Sequence, residues 1–143
     1  MLSANQGYAE AQYKIGLMYY KGQVVKKNFQ KAFDWYSLAA EQGHIDAQHN
    51  LGWMYYHEEG GIPQDFQKAF KWYLLAAEQG DLKAQFFLGC MYEDGQGVIQ
   101  NHEEAIKWYT LAAEQGEIMA QSNLGHLYEN EQTDKLDYIQ AHK

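Results

Sequence analysis

The sequence predicts an all-α repeat protein from three observations: a hexapeptide that returns at nearly constant spacing, an apolar helical stripe that returns in step with it, and cap residues at the ends of the stripes. Leu38–Gly43 reads LAAEQG, and the same six residues stand at Leu75–Gly80 and Leu111–Gly116, a period of 36 or 37 residues. Ala11-Gln12, Ala47-Gln48, Ala84-Gln85 and Ala120-Gln121 keep that spacing, as do Gly16, Gly52, Gly89 and Gly125, and Tyr19, Tyr55, Tyr92 and Tyr128. Self-similarity at this period marks arrays whose units cannot bury an apolar face alone and must stack. The 143 residues are 46% hydrophobic with a single proline, a composition that folds rather than one that stays disordered.

Taken in order, residues 1–7 match the tail of a second-type helix, with Leu2-Ser3-Ala4-Asn5-Gln6-Gly7 standing where LAAEQG stands later. Repeat 1 spans residues 8–43. Its first helix, A, carries Ala11, Ile15, Met18 and Tyr19 at i, i+4, i+7 and i+8, one face of a 3.6-residue helix. Gly16 sits on that helix, where glycine costs about 1 kcal/mol relative to alanine, so its recurrence implies a close approach by another element. Gly22 marks the loop. The second helix, B, opens at Asn28, whose side chain can accept from the first free N–H groups. It runs through Ala32, Trp35, Tyr36 and Ala39 and stops at Gly43, a residue that tolerates the left-handed conformation past a helix end.

Repeat 2 (44–80) repeats this with a one-residue insertion in its Gly60-Gly61-Ile62-Pro63 loop, an Asp65 cap, Ala69, Trp72, Tyr73 and Ala76, and a stop at Gly80. Repeat 3 (81–116) has loop glycines Gly95 and Gly97, an Asn101 cap, Ala105, Trp108, Tyr109 and Ala112, and a stop at Gly116. Repeat 4 (117–143) is incomplete: Asn130–Asp134 replaces the glycine loop, and a short helix B opens at Asp137. Trp35, Trp72 and Trp108 are expected in the core.

The pattern A-Q-x-x-L-G-x-M-Y, a glycine loop, then A-x-x-W-Y-x-x-A-A-E-Q-G resembles the Sel-one-like repeat, a relative of the tetratricopeptide repeat, over nearly the whole chain. The resemblance implies a right-handed α-α superhelix, a solenoid of stacked antiparallel helix pairs with a concave face. It also implies a scaffold or adaptor that binds a peptide or helix of a partner protein in the groove lined by the A helices. Carried through the frame, the groove positions are Tyr13, Lys14, Leu17 and Tyr20; His49, Asn50, Trp53 and Tyr56; Phe86, Phe87, Cys90 and Glu93; and Ser122, Asn123, His126 and Glu129. Their aromatic members offer the area that dominates binding hot spots. For Tyr13 and Phe86 the competing expectation is packing between neighbouring A helices. The alternative function is structural: a stacking unit that associates end to end, or a segment of a longer array.

No catalysis, metal or cofactor is expected. His44 reads as surface, His57 and His102 fall at or near loops, and His142 lies in a fraying end. Cys90 and His126 hold equivalent positions in adjacent repeats, about 10 Å apart at usual helix spacing and too far to share one zinc. Glu41, Glu78 and Glu114 recur once per repeat, unlike a paired-carboxylate site. The paired cysteines of secreted, cysteine-rich relatives are missing, since Cys90 is the one cysteine. A net charge of -8 disfavours nucleic acid and favours a basic partner. No membrane insertion is expected, and a start without a basic, apolar leader suggests a cytoplasmic protein.

Overall fold

A computed structural model describes residues 4–141, and among them the chain forms seven α-helices and no strand. They are α1 (Ala4–Lys21), α2 (Phe29–Glu41), α3 (Ile45–Tyr56), α4 (Phe66–Glu78), α5 (Leu82–Asp94), α6 (His102–Glu114) and α7 (Ile118–Ala141). Each helix packs on its sequence neighbours, and α5 also touches α7, so the odd-numbered A helices line one side of a solenoid and the even-numbered B helices the other.

The B helices begin and end where the capping residues place them. Asn28, Asp65 and Asn101 stand in extended backbone and accept from the N–H groups of Lys31, Lys68 and Glu104. At the other end Gly43, Gly80 and Gly116 have φ of 93°, 97° and 95°. The Gly43 N–H donates to the Ala40 carbonyl and the His44 N–H to that of Ala39, the paired bonds that close a helix on a left-handed residue, and the pattern recurs at Gly80 and Gly116.

The glycines of helix A have the close partner their cost implied. A Cβ built on Gly16 would lie 2.7 Å from the Tyr36 ring and one on Gly52 2.8 Å from that of Tyr73, while one on Gly89 would enter the Tyr109 ring. Tyr36, Tyr73 and Tyr109 are fully buried. Within a repeat, then, helix B docks by pushing a tyrosine onto the bare backbone of helix A. Between repeats the contact is an apolar cluster: Ala32, Tyr36 and Ala39 of α2 join Ala47, Leu51 and Met54 of α3, and α4 with α5 and α6 with α7 do the same. The frame glutamines tie the same joints, since the Gln48, Gln85 and Gln121 amides donate to the carbonyls of Ala40, Ala77 and Ala113 at the end of the preceding B helix.

Four expectations are corrected. The tryptophans are half-buried rather than core: one residue before each tyrosine, they are turned about 100° around the helix. There Trp72 and Trp108 reach back to flank the preceding cluster. Repeat 4 has no separate helix B. Asp137 lies inside α7 because Asn130–Asp134 supplies no residue with positive φ to turn the chain, unlike the loops holding Gly22, Gly60 and Gly97. Gly7 is not a helix stop but part of α1, and no B helix precedes it among the described residues. Finally, Ala11 is exposed although its equivalents Ala47, Ala84 and Ala120 are buried, since the element that would cover it is a preceding B helix. Met1 and His142 lie outside the described residues.

Because α7 runs on, a Cβ at Gly125 meets nothing within 4 Å. Gly52→Ala is therefore expected to destabilise the protein by about 1–3 kcal/mol through overpacking against Tyr73, whereas Gly125→Ala stabilises by up to about 1 kcal/mol through helix propensity. Urea melts of the two variants beside the parent check this pair of opposite signs.

Candidate functional site

The side formed by the A helices has three equivalent junctions: α1 with α3, α3 with α5, and α5 with α7. Beneath each lies the buried tyrosine of the intervening B helix, and the three hydroxyls meet three different environments. At the last junction the Tyr109 hydroxyl donates to Glu93 Oε1 at 2.7 Å and accepts from the Asn123 amide at 3.2 Å. At the middle one Phe87 stacks on Tyr73 with centroids 4.8 Å apart and planes 9° from parallel, and the Tyr73 hydroxyl has no partner. At the first, Asn50 replaces Phe87. Asn50 faces the Tyr36 hydroxyl without closing a hydrogen bond of good geometry, so that hydroxyl too is unpartnered.

The smaller Asn50 leaves a cavity of about 260 Å³ above Tyr36. Six of the residues placed in the groove from the frame line it: Tyr13, Leu17 and Tyr20 from α1, and His49, Asn50 and Trp53 from α3. Lys21 and Tyr36 complete it. Tyr13 lies stacked on His44 at 4.5 Å and on Tyr36 at 5.7 Å. The Tyr20 hydroxyl and the Trp53 indole N–H both donate to the Glu59 carboxylate, each at 2.7 Å. The equivalent of the first contact recurs one repeat on, where the Tyr56 hydroxyl donates to Gln96 Oε1 at 2.9 Å.

The remaining groove positions divide. Phe87 is half-buried and fills the middle junction against Trp53, Tyr56 and Tyr73. Phe86 is buried in the third core cluster, which removes it from the groove: its position points toward Tyr109, and packing between helices takes the ring. Cys90 accepts from the Asn123 amide at 3.7 Å, and burial pushes its thiol up to about 11, which leaves it protonated and unreactive at neutral pH. Lys14, Ser122, His126 and Glu129 are exposed on the same side, and Glu93 is half-buried.

His44 is corrected from surface to joint. Its side chain is 11% exposed, Nδ1 accepts from the Ala47 N–H as the α3 cap, and Nε2 bonds Glu10 of the preceding A helix. Asp81 caps α5 in the same way and bonds His49, and Glu117 caps α7 and pairs with Lys83. Burial raises the Asp81 carboxyl, but the hydrogen bond and charge of His49 and the Ala84 N–H outweigh it and leave the group below the ordinary carboxylate range. Among the described residues no three histidine, cysteine, aspartate or glutamate side chains gather into a metal-holding group. Glu41, Glu78 and Glu114 are exposed.

Sequence reasoning missed Tyr36 and Glu59. The first stood in the invariant frame and read as packing alone. The second carried a signal, because repeat 2 has its extra residue in the loop that delivers it.

Four copies of a Sel1 repeat model match the chain, at residues 9–44, 45–81, 82–117 and 118–143. No curated protein matches it. Among solved structures, it is similar to a protective antigen present in uropathogenic Escherichia coli strains that displays an SLR fold, at 41% identity and a TM-score of 0.83, covering 89% of this chain. The chain spans 27% of that antigen. A Sel1 repeat protein from Oxalobacter formigenes aligns at 36% identity and a TM-score of 0.77, covering 86% of this chain and 93% of that one. The cysteine rich protein B of Helicobacter pylori aligns at 25% identity and a TM-score of 0.67, covering 82% and 90%.

The tyrosine hydroxyls give a test of the site. Tyr109→Phe removes two hydrogen bonds and is expected to cost about 1–2 kcal/mol, whereas Tyr73→Phe removes a buried, unpartnered hydroxyl and is neutral or stabilising. Equilibrium urea unfolding of both variants decides it. Alkaline pH gives a second test: burial, then the hydrogen bond to Glu59, pushes Tyr20 up to about 12, and burial raises Tyr36, Tyr73 and Tyr109 further. Groups raised in the folded state above an unfolded value of about 10 stabilise fully below that pH. Stability should therefore hold up to about pH 10 and fall as the pH climbs through 12, read from urea midpoints across that range.

Proposed function

We propose, from the premise that this chain belongs to the Sel1 repeat family, that it is a protein-interaction scaffold whose A-helix face holds an extended or helical segment of a partner protein. Sel1 repeat proteins are in general protein-interaction scaffolds, typically without enzymatic activity. The observation that carries the assignment to this face is the cavity between α1 and α3, where six residues at variable positions of the frame converge on a floor that the frame itself provides. A stability-only array would fill that space as Phe87 fills the middle junction. Trp53, half-buried, stacked on His57 and held by Glu59, is an aromatic anchor of low conformational freedom. Among the described residues no helix is long and apolar enough to cross a membrane.

A second reading rests on α7. Ile118 is 76% exposed, Met119 53%, Leu136 59% and Ile139 53%, so this end helix carries apolar surface that a further repeat or a second copy would cover. That reading makes the chain a stacking unit or part of a longer array, as the greater length of the Escherichia coli antigen illustrates for a related fold.

Affinity capture from the source cell's lysate, with the parent, Trp53→Ala and the exposed B-helix variant Lys107→Ala as baits, separates the two. On the scaffold reading the captured proteins are lost with Trp53→Ala and kept with Lys107→Ala, while the solution mass is constant over a hundredfold concentration range. Mass that grows with concentration and capture indifferent to Trp53 would replace it with the stacking reading.

A further inference from the structure

We propose that the cavity between α1 and α3 is a socket for one basic side chain, lysine or arginine, of the bound partner segment. The inference rests on the scaffold reading and adds what the groove selects. The cavity volume of about 260 Å³ exceeds several times the roughly 30 Å³ share of a water molecule, enough for the end of a long side chain. Its walls are aromatic: Tyr13 and Tyr20 on α1 and Trp53 on α3 surround the Tyr36 ring, with Tyr13 and Tyr20 centred 5.7 Å and 6.3 Å from it. Such faces attract a cation through the negative lobes of the ring quadrupoles, and a guanidinium also stacks on them.

The polar groups point the same way. The two donors best placed to receive an anion, the Tyr20 hydroxyl and the Trp53 indole N–H, are both consumed by Glu59, which sets a half-buried carboxylate at the edge of the cavity. The loop that delivers it holds the extra residue of repeat 2, and its Glu58 takes a φ of 51°, a conformation unfavourable for that residue type. The floor is the ring of the buried Tyr36, whose hydroxyl lies beside Asn50. Asp46 and Glu10 lie near Tyr13 and add negative potential, although Glu10 is already bonded by His44. The basic residue types of the lining are Lys21, which is exposed to solvent, and His49, which is engaged by Asp81 at 2.9 Å. A chain of net charge -8 supports the same sign at long range.

Neither neighbouring junction can do this. Phe87 occupies the middle one, and at the last Asn123 and Glu93 already satisfy the tyrosine. The socket is thus made by features that coincide in space only here: Asn50 where the middle junction has Phe87, Trp53 as an indole donor, and the lengthened loop carrying Glu59.

The test follows the Trp53 indole N–H resonance of the full chain, identified by its absence in Trp53→Phe, during titration with the pentapeptides acetyl-Ala-Ala-X-Ala-Ala-amide, where X is lysine, arginine, norleucine or glutamate. Lysine and arginine peptides are expected to shift the resonance saturably, with norleucine and glutamate at least about tenfold weaker. Glu59→Gln is expected to weaken the lysine peptide by about tenfold while its far-ultraviolet circular dichroism and melting stay those of the parent. Should that variant lose helix, the norleucine comparison, made on the parent protein, decides alone. Norleucine binding as well as lysine, or glutamate binding better, would overturn the basic socket while keeping an occupied groove. No saturable shift with either basic peptide also overturns it; Trp53-dependent capture in the lysate experiment then shows whether the groove reading survives.

Discussion

Everything in this solenoid hangs on the absence of one carbon atom. A glycine on the inner face of helix A lets the tyrosine of helix B rest against bare backbone, at a separation where a Cβ would overlap the ring at Gly16, Gly52 and Gly89. That contact sets how deeply the two helices of a pair approach and fixes where the tyrosine hydroxyl ends, at the seam between consecutive A helices. The apolar clusters then follow, since Leu51, Met54 and their equivalents pack against the same tyrosine-bearing helix. The glycine's cost of about 1 kcal/mol in helix propensity is offset by burial of an entire aromatic ring, which removes well over 100 Å² from water.

The repeat boundaries drawn from the sequence and the physical units of the core are offset from each other. Sequence periodicity pairs helix A with the following helix B, but each apolar cluster joins helix B to the next helix A, and the capping residue of every A helix after the first is gripped by a polar side chain from the preceding one. Glu10 holds His44, His49 holds Asp81 and Lys83 holds Glu117. The first pair runs from an acidic residue to a histidine cap, and the other two from a basic residue type to an acidic cap. A solenoid built this way is a chain of nearest-neighbour interfaces in which no repeat has a complete core alone.

Helix number in the first three repeats, the caps, the stops and the glycine packing were all legible, because each rests on a local rule and recurs three times. Reading failed where recurrence was trusted beyond its physical cause. Asp137 matched the cap position of helix B, yet without a positive-φ residue before it the chain had no means to reverse, and α7 ran through. The tryptophans recurred as faithfully as the tyrosines, but recurrence does not say which of two adjacent residues faces the glycine. His44 looked like a solvent residue because its equivalents are chemically unlike; the position tolerates any side chain that can accept from a helix N-terminus. The groove was legible as a set of variable positions and not as a site, since the cavity depends on Asn50 being smaller than Phe87 one repeat away.

The same tyrosine therefore serves two ends, and the difference between junctions separates them. Where Asn123 and Glu93 complete its hydrogen bonds, or where Phe87 covers it, the hydroxyl belongs to the fold alone. Over Tyr36 the seam has been left unfilled: Asn50 forfeits the packing that Phe87 supplies over Tyr73. That loss falls beside the loop that carries an extra residue, and nothing in the stability of the array requires it. A repeat protein can be specific only by departing from its repeat, and the departures that lower stability together, at one accessible seam, are the ones that a ligand can restore.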